Sequence, residues 1–141
     1  ADDLETAFEY QARFEAPNYA HRAGRLLILK LPFFEQSYAE ASLEKRRFPI
    51  DYRTSRERVQ RWEIELPEGY RVKATPAPSE LQRKWSRFTL SVDERPGLLV
   101  IERRRRIETP LVPVADYPSY RTYLKRLEAL GKEQVFLERE S

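Results

Sequence analysis

Cysteine and methionine are absent from this chain, histidine occurs once, and glycine occurs only four times in 141 residues. Without Cys there can be no disulfide, no thiolate nucleophile and no Cys-based metal site. Acyl transfer of the papain type, which needs a thiolate activated by His, is therefore excluded from these residues. The scarcity of Gly removes the glycine-rich loops that let a backbone approach a nucleotide phosphate. No apolar run approaches the ~20 residues of a membrane-spanning helix, and no charged-then-apolar leader is present. The expectation is a piece without membrane insertion, and the missing Met at position 1 suggests a fragment of a larger protein.

An excess of one charge is missing too. Lys+Arg 26 against Asp+Glu 23 leaves a formal net charge of +3, although the sequence pI is about 9.2. Nucleic-acid binding rests on clustered positive charge that displaces counterions from phosphates. Only the stretch IERRRRIE invites that reading, and acids bracket it.

What the chain does contain is short alternating segments. Phe8, Tyr10, Ala12 and Phe14 alternate with polar residues, the period of a half-buried strand. Pro17–Gly24 reads as a turn. Arg25–Leu31 reads as a strand covered on both faces, and Phe34–Glu44 as a short helix or irregular crossover. Phe48, Ile50 and Tyr52 form an edge strand, Arg53–Arg58 a polar loop. Trp62, Ile64 and Leu66 then point inward, with Glu63 and Glu65 outward. Pro67-Glu68-Gly69 supplies a turn from which Tyr70 and Val72 return. The ATPAPS stretch is a loop or a crossover between sheets. Phe88, Leu90 and Val92 make a strand, Arg95-Pro96-Gly97 a turn, and Leu99, Ile101, Arg103, Arg105 and Ile107 one face of a long strand.

One helix stands out. Asp116 and Pro118 suit its start, Tyr117, Tyr120, Leu124 and Leu127 recur at helical spacing, and Gly131 suits its end. Arg121, Lys125 and Glu128 fall on its outer face. A last strand follows at Val135–Leu137. This pattern predicts a single all-β domain over residues 1–141: an antiparallel β-sandwich, immunoglobulin-like in layering, with one C-terminal α-helix packed on it.

Few residues carry chemistry. The single His21 sits among polar residues with no nucleophile paired to it, and Glu63 and Glu65 serve solubility on a sheet face more readily than acid–base catalysis. Asp2, Asp3 and Glu5 lack the Gly-containing loop of a hard-cation site, so no metal, cofactor or enzymatic activity is expected. In a strand, the four arginines 103–106 alternate between faces. Arg104 and Arg106 are the candidates for an anion-binding ridge, with Glu63, Glu65, Asp93 or Glu94 as alternative ion-pair partners. Tyr19, Tyr38 and Trp85 are the candidates for an exposed aromatic surface, which would suit carbohydrate or cell wall.

Four segments also carry a family likeness: RRFPIDY at Arg46–Tyr52, WEIELPEGYRV at Trp62–Val72, DYPSYRTYL at Asp116–Leu124, and VFLER at Val135–Arg139. Together they resemble the uncharacterised C-terminal β-domain that follows a transglutaminase-like core in large bacterial exported proteins. The resemblance is clearest over residues 46–139. It implies a parent with an N-terminal β-domain and a Cys-His-Asp core, located in the periplasm or outside the cell. The module's partner would be that core in the same chain, with a protein or polysaccharide ligand as a further possibility. Its role would be accessory: structural support, or positioning of a substrate. Residues 1–44 are read as strands that complete the sandwich.

Overall fold

The computed structural model describes residues 5–16, 20–53 and 55–140, with side chains described from Glu9 onward. Two sheets form the body of the molecule. The first combines β1 (Glu5–Glu15), β5 (Ser55–Glu65), β9 (Leu98–Ile107), β8 (Ser86–Arg95) and β7 (Ser79–Gln82), in the spatial order β1-β5-β9-β8-β7. The second orders β2 (Ala20–Ala23), β3 (Leu26–Leu29), β11 (Val135–Arg139) and β6 (Tyr70–Ala74) as β2-β3-β11-β6. A two-stranded ribbon pairs β4 (Ile50–Asp51) with β10 (Leu111–Val112), and the helix α1 spans Tyr117–Leu130. This is the sandwich-like, mostly β arrangement with one C-terminal helix that the alternation predicts.

Period-two patterning explains which residues meet inside. Phe14, Trp62, Ile64, Phe88, Leu90, Leu99 and Ile101 from the first sheet join Leu27, Leu29, Val135 and Leu137 from the second in one buried cluster. Each large apolar side chain buried there stabilises the fold by roughly 1.5–3 kcal/mol. Glu63 and Glu65 face outward as expected, and both accept hydrogen bonds from Arg13 on β1.

Several local expectations need correction. β1 runs parallel to β5, so the sandwich is not wholly antiparallel. Ala20–Ala23 is a strand rather than part of a turn, because it finds a partner in β3 across Gly24. β3 is buried only through Leu27 and Leu29, while Leu26 and Ile28 are half covered. Of the Arg47–Tyr52 segment only Ile50–Asp51 is extended and paired, and Phe48 is 72% exposed. The polar residues Ser55–Arg58 are not a loop but the first four residues of β5. β6 does not return along β5; it crosses to the second sheet and pairs with β11.

The face of α1 expected to meet solvent instead holds the crossover between β3 and β4. Glu128 accepts the Tyr38 backbone N–H at 2.7 Å, and Arg121 Nε donates to the Ala41 carbonyl at 2.9 Å. Tyr117 Oη donates to the carbonyls of Glu40 and Leu43. The crossover contains only a single 3-10 turn, Ala39–Ala41, so its shape comes from these bonds and from burial of Phe34 and Ala41. Gly131 ends the helix at an ordinary φ of −71°. Its value is the missing side chain, since a Cβ there would stand 3.0 Å from the Phe34 carbonyl oxygen. The helix end and the crossover can therefore touch backbone to backbone.

Candidate functional site

The crossover roofs a cavity of about 650 Å³ over the inner face of β5, β9 and β8, within the range usual for small-molecule sites. Even-numbered residues of β5 and odd-numbered residues of β9 share this inner face, because both strands continue the alternation that buries Trp62, Ile64, Leu99 and Ile101. Beyond those apolar residues the same face carries Arg56, Arg58 and Gln60 on β5, and Arg103 and Arg105 on β9; all of them line the cavity. Tyr38 and Glu40 from the crossover, with Tyr52 just before β5, close it from the other side. A smaller cavity of about 280 Å³ adjoins it, sharing Gln36, Arg58 and Gln60 and lined also by Tyr10 and Phe33.

The two interior arginines of β9 have different duties. Arg103 is 5% exposed and saturated: Nε and Nη2 donate to Gln60 Oε1 at 3.0 and 2.8 Å, Nη1 to the Phe34 carbonyl at 2.6 Å, and Nη2 to the Phe33 carbonyl at 3.2 Å. Its guanidinium lies 4.7 Å from the Phe34 ring centroid and 5.1 Å from that of Trp62, so cation–π attraction offsets part of its desolvation. Burial pushes its pKa down to about 10, which leaves it charged at neutral pH. Arg103 thus anchors the crossover to the sheet. It also holds the carbonyl of Phe33, a non-glycine residue at φ 60°, whose ring is 71% exposed at the edge of the smaller cavity.

Arg105 is surrounded by phenols. Its guanidinium lies 4.8 Å from the Tyr38 ring centroid, and Nη2 donates to Tyr120 Oη at 2.8 Å. Tyr120 Oη is 2.7 Å from Tyr52 Oη, and Tyr52 Oη donates to Glu40 Oε2 at 2.6 Å. With Tyr120 donating to Tyr52, the protons run in one direction from Arg105 to Glu40, and two phenols separate the guanidinium from the carboxylate. Nε of Arg105 is buried without a hydrogen-bond partner. Burial disfavours the Arg105 charge, the phenols of Tyr120, Tyr38, Tyr52 and Tyr123 favour it, and the balance is a raised pKa. Burial likewise pushes the Tyr52 phenol up, reinforced by Tyr120 and by its bond to Glu40. The Tyr120 phenol is also raised by burial, against the lowering effect of Arg105.

The structure distributes the sequence-predicted site residues over three environments. Tyr38 lines the cavity, its hydroxyl donating to Gln36 Oε1 at 3.2 Å. Tyr19 lies outside the described residues. Trp85 is not exposed: it is 5% accessible, packs edge-on against Tyr120 at 5.3 Å, and its Nε1 donates to Asp116 Oδ2 at 3.3 Å. The reason is its position just before β8, under the start of the helix, where Asp116 receives both Trp85 and Lys84 instead of capping its own helix. Trp85 therefore presents no open ring for stacking.

Arg104 and Arg106 do lie on the outer face, but beside carboxylates. Arg104 pairs with Glu57 at 3.3 Å and Glu102 at 3.8 Å, and Arg106 with Glu57 at 3.7 Å. The partners expected for this run, Glu63, Glu65, Asp93 and Glu94, are excluded by register, which places them opposite Val100, Leu98, Val100 and Leu99 at the far end of β9. His21 is exposed on β2. Asp2 and Asp3 lie outside the described residues, and no metal-holding group of His, Asp and Glu occurs among the described ones.

The residues missed from sequence are Arg58, Arg103 and Arg105 as cavity-forming charges. A signal was present: Arg103 and Arg105 occupy the same strand face as Leu99, Ile101 and Ile107, and a charge that interrupts an inward-facing apolar series must enter either a partnered interior position or a cavity.

A model of the family DUF3858, described as a domain of unknown function with a solved structure, matches residues 24–137. No curated protein matches the chain. Among solved structures, the fold is similar to one described as a "putative protease" from Parabacteroides distasonis ATCC 8503, with a TM-score of 0.69 and 10% sequence identity. That similarity covers 95% of this chain and 27% of the other, so the chain spans about a quarter of that protein's length.

Proposed function

The chain belongs to the DUF3858 family, and on that premise we propose that it serves as a non-catalytic accessory domain. Its place would be C-terminal to a transglutaminase-like catalytic core, which it would support or for which it would position a substrate. One observation carries this reading: a similar fold occurs as 27% of a much longer chain described as a "putative protease". The four sequence segments that resemble the tail of exported transglutaminase-like proteins point the same way, and with them to a periplasmic or extracellular parent.

The geometry fits a supporting role. The outer face of the first sheet is laced by ion pairs, across and along its strands, among Arg13, Arg61, Arg104, Glu57, Glu63, Glu65 and Glu102. Such exposed pairs are screened by solvent, add little to stability and keep a sheet face hydrated. A reading as a carbohydrate module loses its main support with the burial of Trp85.

The test compares the parent protein with a form lacking residues 1–141, and both with the isolated domain, for cleavage or transamidation of peptide substrates. The accessory reading expects activity in the parent, a loss in KM or stability on deletion, and none in the isolated domain. Turnover by the isolated domain, or a parent indifferent to the deletion, would overturn it.

A further inference from the structure

Gln60 is a buried amide with one end fixed and the other open. It lies on the inner face of β5, directly across from Arg103, and is 4% exposed. Its Oε1 accepts from Arg103 Nε at 3.0 Å and from Arg103 Nη2 at 2.8 Å. A guanidinium can only donate, so these two bonds settle which end of the amide is the oxygen. Nε2 therefore points away from Arg103, and its N–H groups have no acceptor among the described residues. The one polar side-chain atom sealed off without a partner among those residues is Arg105 Nε, so Nε2 of Gln60 stays open to both cavities that the residue lines. A donor at that depth calls for an acceptor.

Gln36 lines the same two cavities. Its Oε1 accepts from Tyr38 Oη at 3.2 Å, and a carbonyl oxygen has a second lone pair. The junction of the cavities thus offers a donor from Gln60 and an acceptor from Gln36. Charge, by contrast, is already met. Arg103 is saturated, and Arg105 donates to Tyr120 and lies against the Tyr38 ring. Arg56 donates to the Tyr52 carbonyl at 3.1 Å and stands 5.4 Å from that ring's centroid, and Arg58 is engaged as well. Glu40 and Glu57 add two carboxylates to the lining. What remains open is a hydrogen-bond pattern, without a call for a counter-ion.

We propose that the two cavities together form a binding site for a neutral, peptide-like amide. The ligand's carbonyl oxygen accepts from Gln60 Nε2 and its N–H donates to Gln36 Oε1, the complementary pattern of two amides. The group next to this amide is apolar and enters the smaller cavity of about 280 Å³, against Tyr10 and the 71% exposed ring of Phe33, which meet edge-on at 5.5 Å. Arg103 prepares both halves of the site. The guanidinium that orients Gln60 also holds the Phe33 carbonyl at 3.2 Å, at a φ of 60° that a bulky residue adopts only where its surroundings enforce it. A site fixed in advance loses less ordering entropy on binding. The ligand class is a short peptide or acylated amino amide with one large apolar side chain. The proposal goes beyond the accessory reading and does not depend on it.

The experiment titrates the chain with N-acetyl-phenylalanine amide, with the corresponding free acid and with N-acetyl-glycine amide, following backbone amide shifts by NMR. The phenylalanine amide is expected to bind saturably, with shifts centred on Phe33, Gln36 and Gln60, and at least as tightly as the acid. The glycine amide, which lacks the apolar group, should bind roughly tenfold more weakly or worse. Gln60→Glu keeps an acceptor for Arg103 but puts a second acceptor where the donor stood. It should weaken the phenylalanine amide roughly tenfold without lowering the melting temperature. Phe33→Ala removes the exposed ring and should weaken it about threefold or more. The absence of a saturable shift would overturn the proposal, as would tighter binding of the acid, which would make the arginine charge decisive. Wild-type affinity in Gln60→Glu would overturn it too; should that variant fail to fold, wild-type affinity in Phe33→Ala would do the same.

Discussion

Arg105 Nη2 donates to Tyr120 Oη at 2.8 Å, and through this bond a strand of the first sheet is tied to the helix, to Tyr52 and to the Glu40 carboxylate of the crossover. Replacing Tyr120 by Phe keeps the ring against Trp85 and Tyr123 but cuts the relay in its middle. Hydrogen bonds to charged groups contribute roughly 1.5–3 kcal/mol, so Tyr120→Phe should cost about 2 kcal/mol in chemical denaturation. Tyr123→Phe, which loses only the neutral contact with Ser86 Oγ, should cost about 1 kcal/mol. Equal losses would show that the charge on Arg105 is not what makes the first bond matter.

Trp85→Ala is expected to behave as a core deletion. The indole is 5% exposed and packed on Tyr120, and truncating a buried aromatic to Ala costs about 3–5 kcal/mol. Thermal melting should fall steeply; a variant that melts like the wild type would mean that the indole lies on the surface.

Raised phenols give the protein an alkaline limit. Burial lifts the pKa of Tyr52, Tyr120 and Tyr123 above the ordinary value of 10.0. The fold favours the neutral phenol, so this stabilisation is complete below pH 10 and disappears as the pH rises through the folded-state values. Titration followed by tyrosinate absorbance should therefore show a fraction of the tyrosines ionising only together with unfolding, as followed by circular dichroism. A single smooth titration at the ordinary value, with the fold intact, would contradict the burial of the relay.

At the acid end the sensitive group is Glu138 on β11. Hydrogen bonds from Arg71 and Lys73 on β6 hold its carboxyl down at about 2, below the usual 4.5. The stabilisation is present above pH 4.5 and is lost as the pH falls through about 2. Glu138→Gln should flatten the fall of stability across that window. An unchanged slope would assign the acid sensitivity to other carboxylates.

The first and last strands test whether residues 1–44 belong to the same folding unit. Phe14, Leu27, Leu29, Leu31, Phe34 and Ala41 all enter the buried cluster. A fragment beginning at Lys45 should be aggregated or unfolded by circular dichroism and gel filtration, and a cooperative melt from it would refute this.

How much of this was legible in the sequence follows from the range of the interactions concerned. Strands with clean alternation, such as the one containing Trp62 and Ile64, and the helix with Tyr117, Tyr120, Leu124 and Leu127 could be read because a single face decides their burial. Ser55–Arg58 looked like a loop because both faces carry polar residues, and only a partner strand and a cavity explain why a strand forms there. β6 looked like a return strand because a turn containing Gly precedes it, whereas its true partner, β11, lies more than sixty residues along the chain. Trp85 reads as exposed in the sequence for a similar reason: its cover is Tyr120 and Asp116, which arrive from the helix and its start. Of the site, the sequence marks Tyr38. The face of β9 that carries Arg103 and Arg105 is legible in the alternation, but its charges become a cavity floor only under a crossover that has no regular pattern of its own.

The connectivity of the first sheet also sets an order of events during folding. β8 and β9 are joined by the tight Pro96-Gly97 connection and pair over their full length, whereas β1 must find β5 about fifty positions downstream, in parallel register. Loop closure makes the hairpin quick and the distant pairings slow. Phe88, Arg103 and Arg105 thus come together first, on a ribbon still open to water, and both guanidinium groups remain hydrated until β5, the crossover and the helix arrive. Desolvation of these charges coincides with closure of the roof, so the late steps of folding, and not hairpin formation, should carry the salt dependence of the refolding rate.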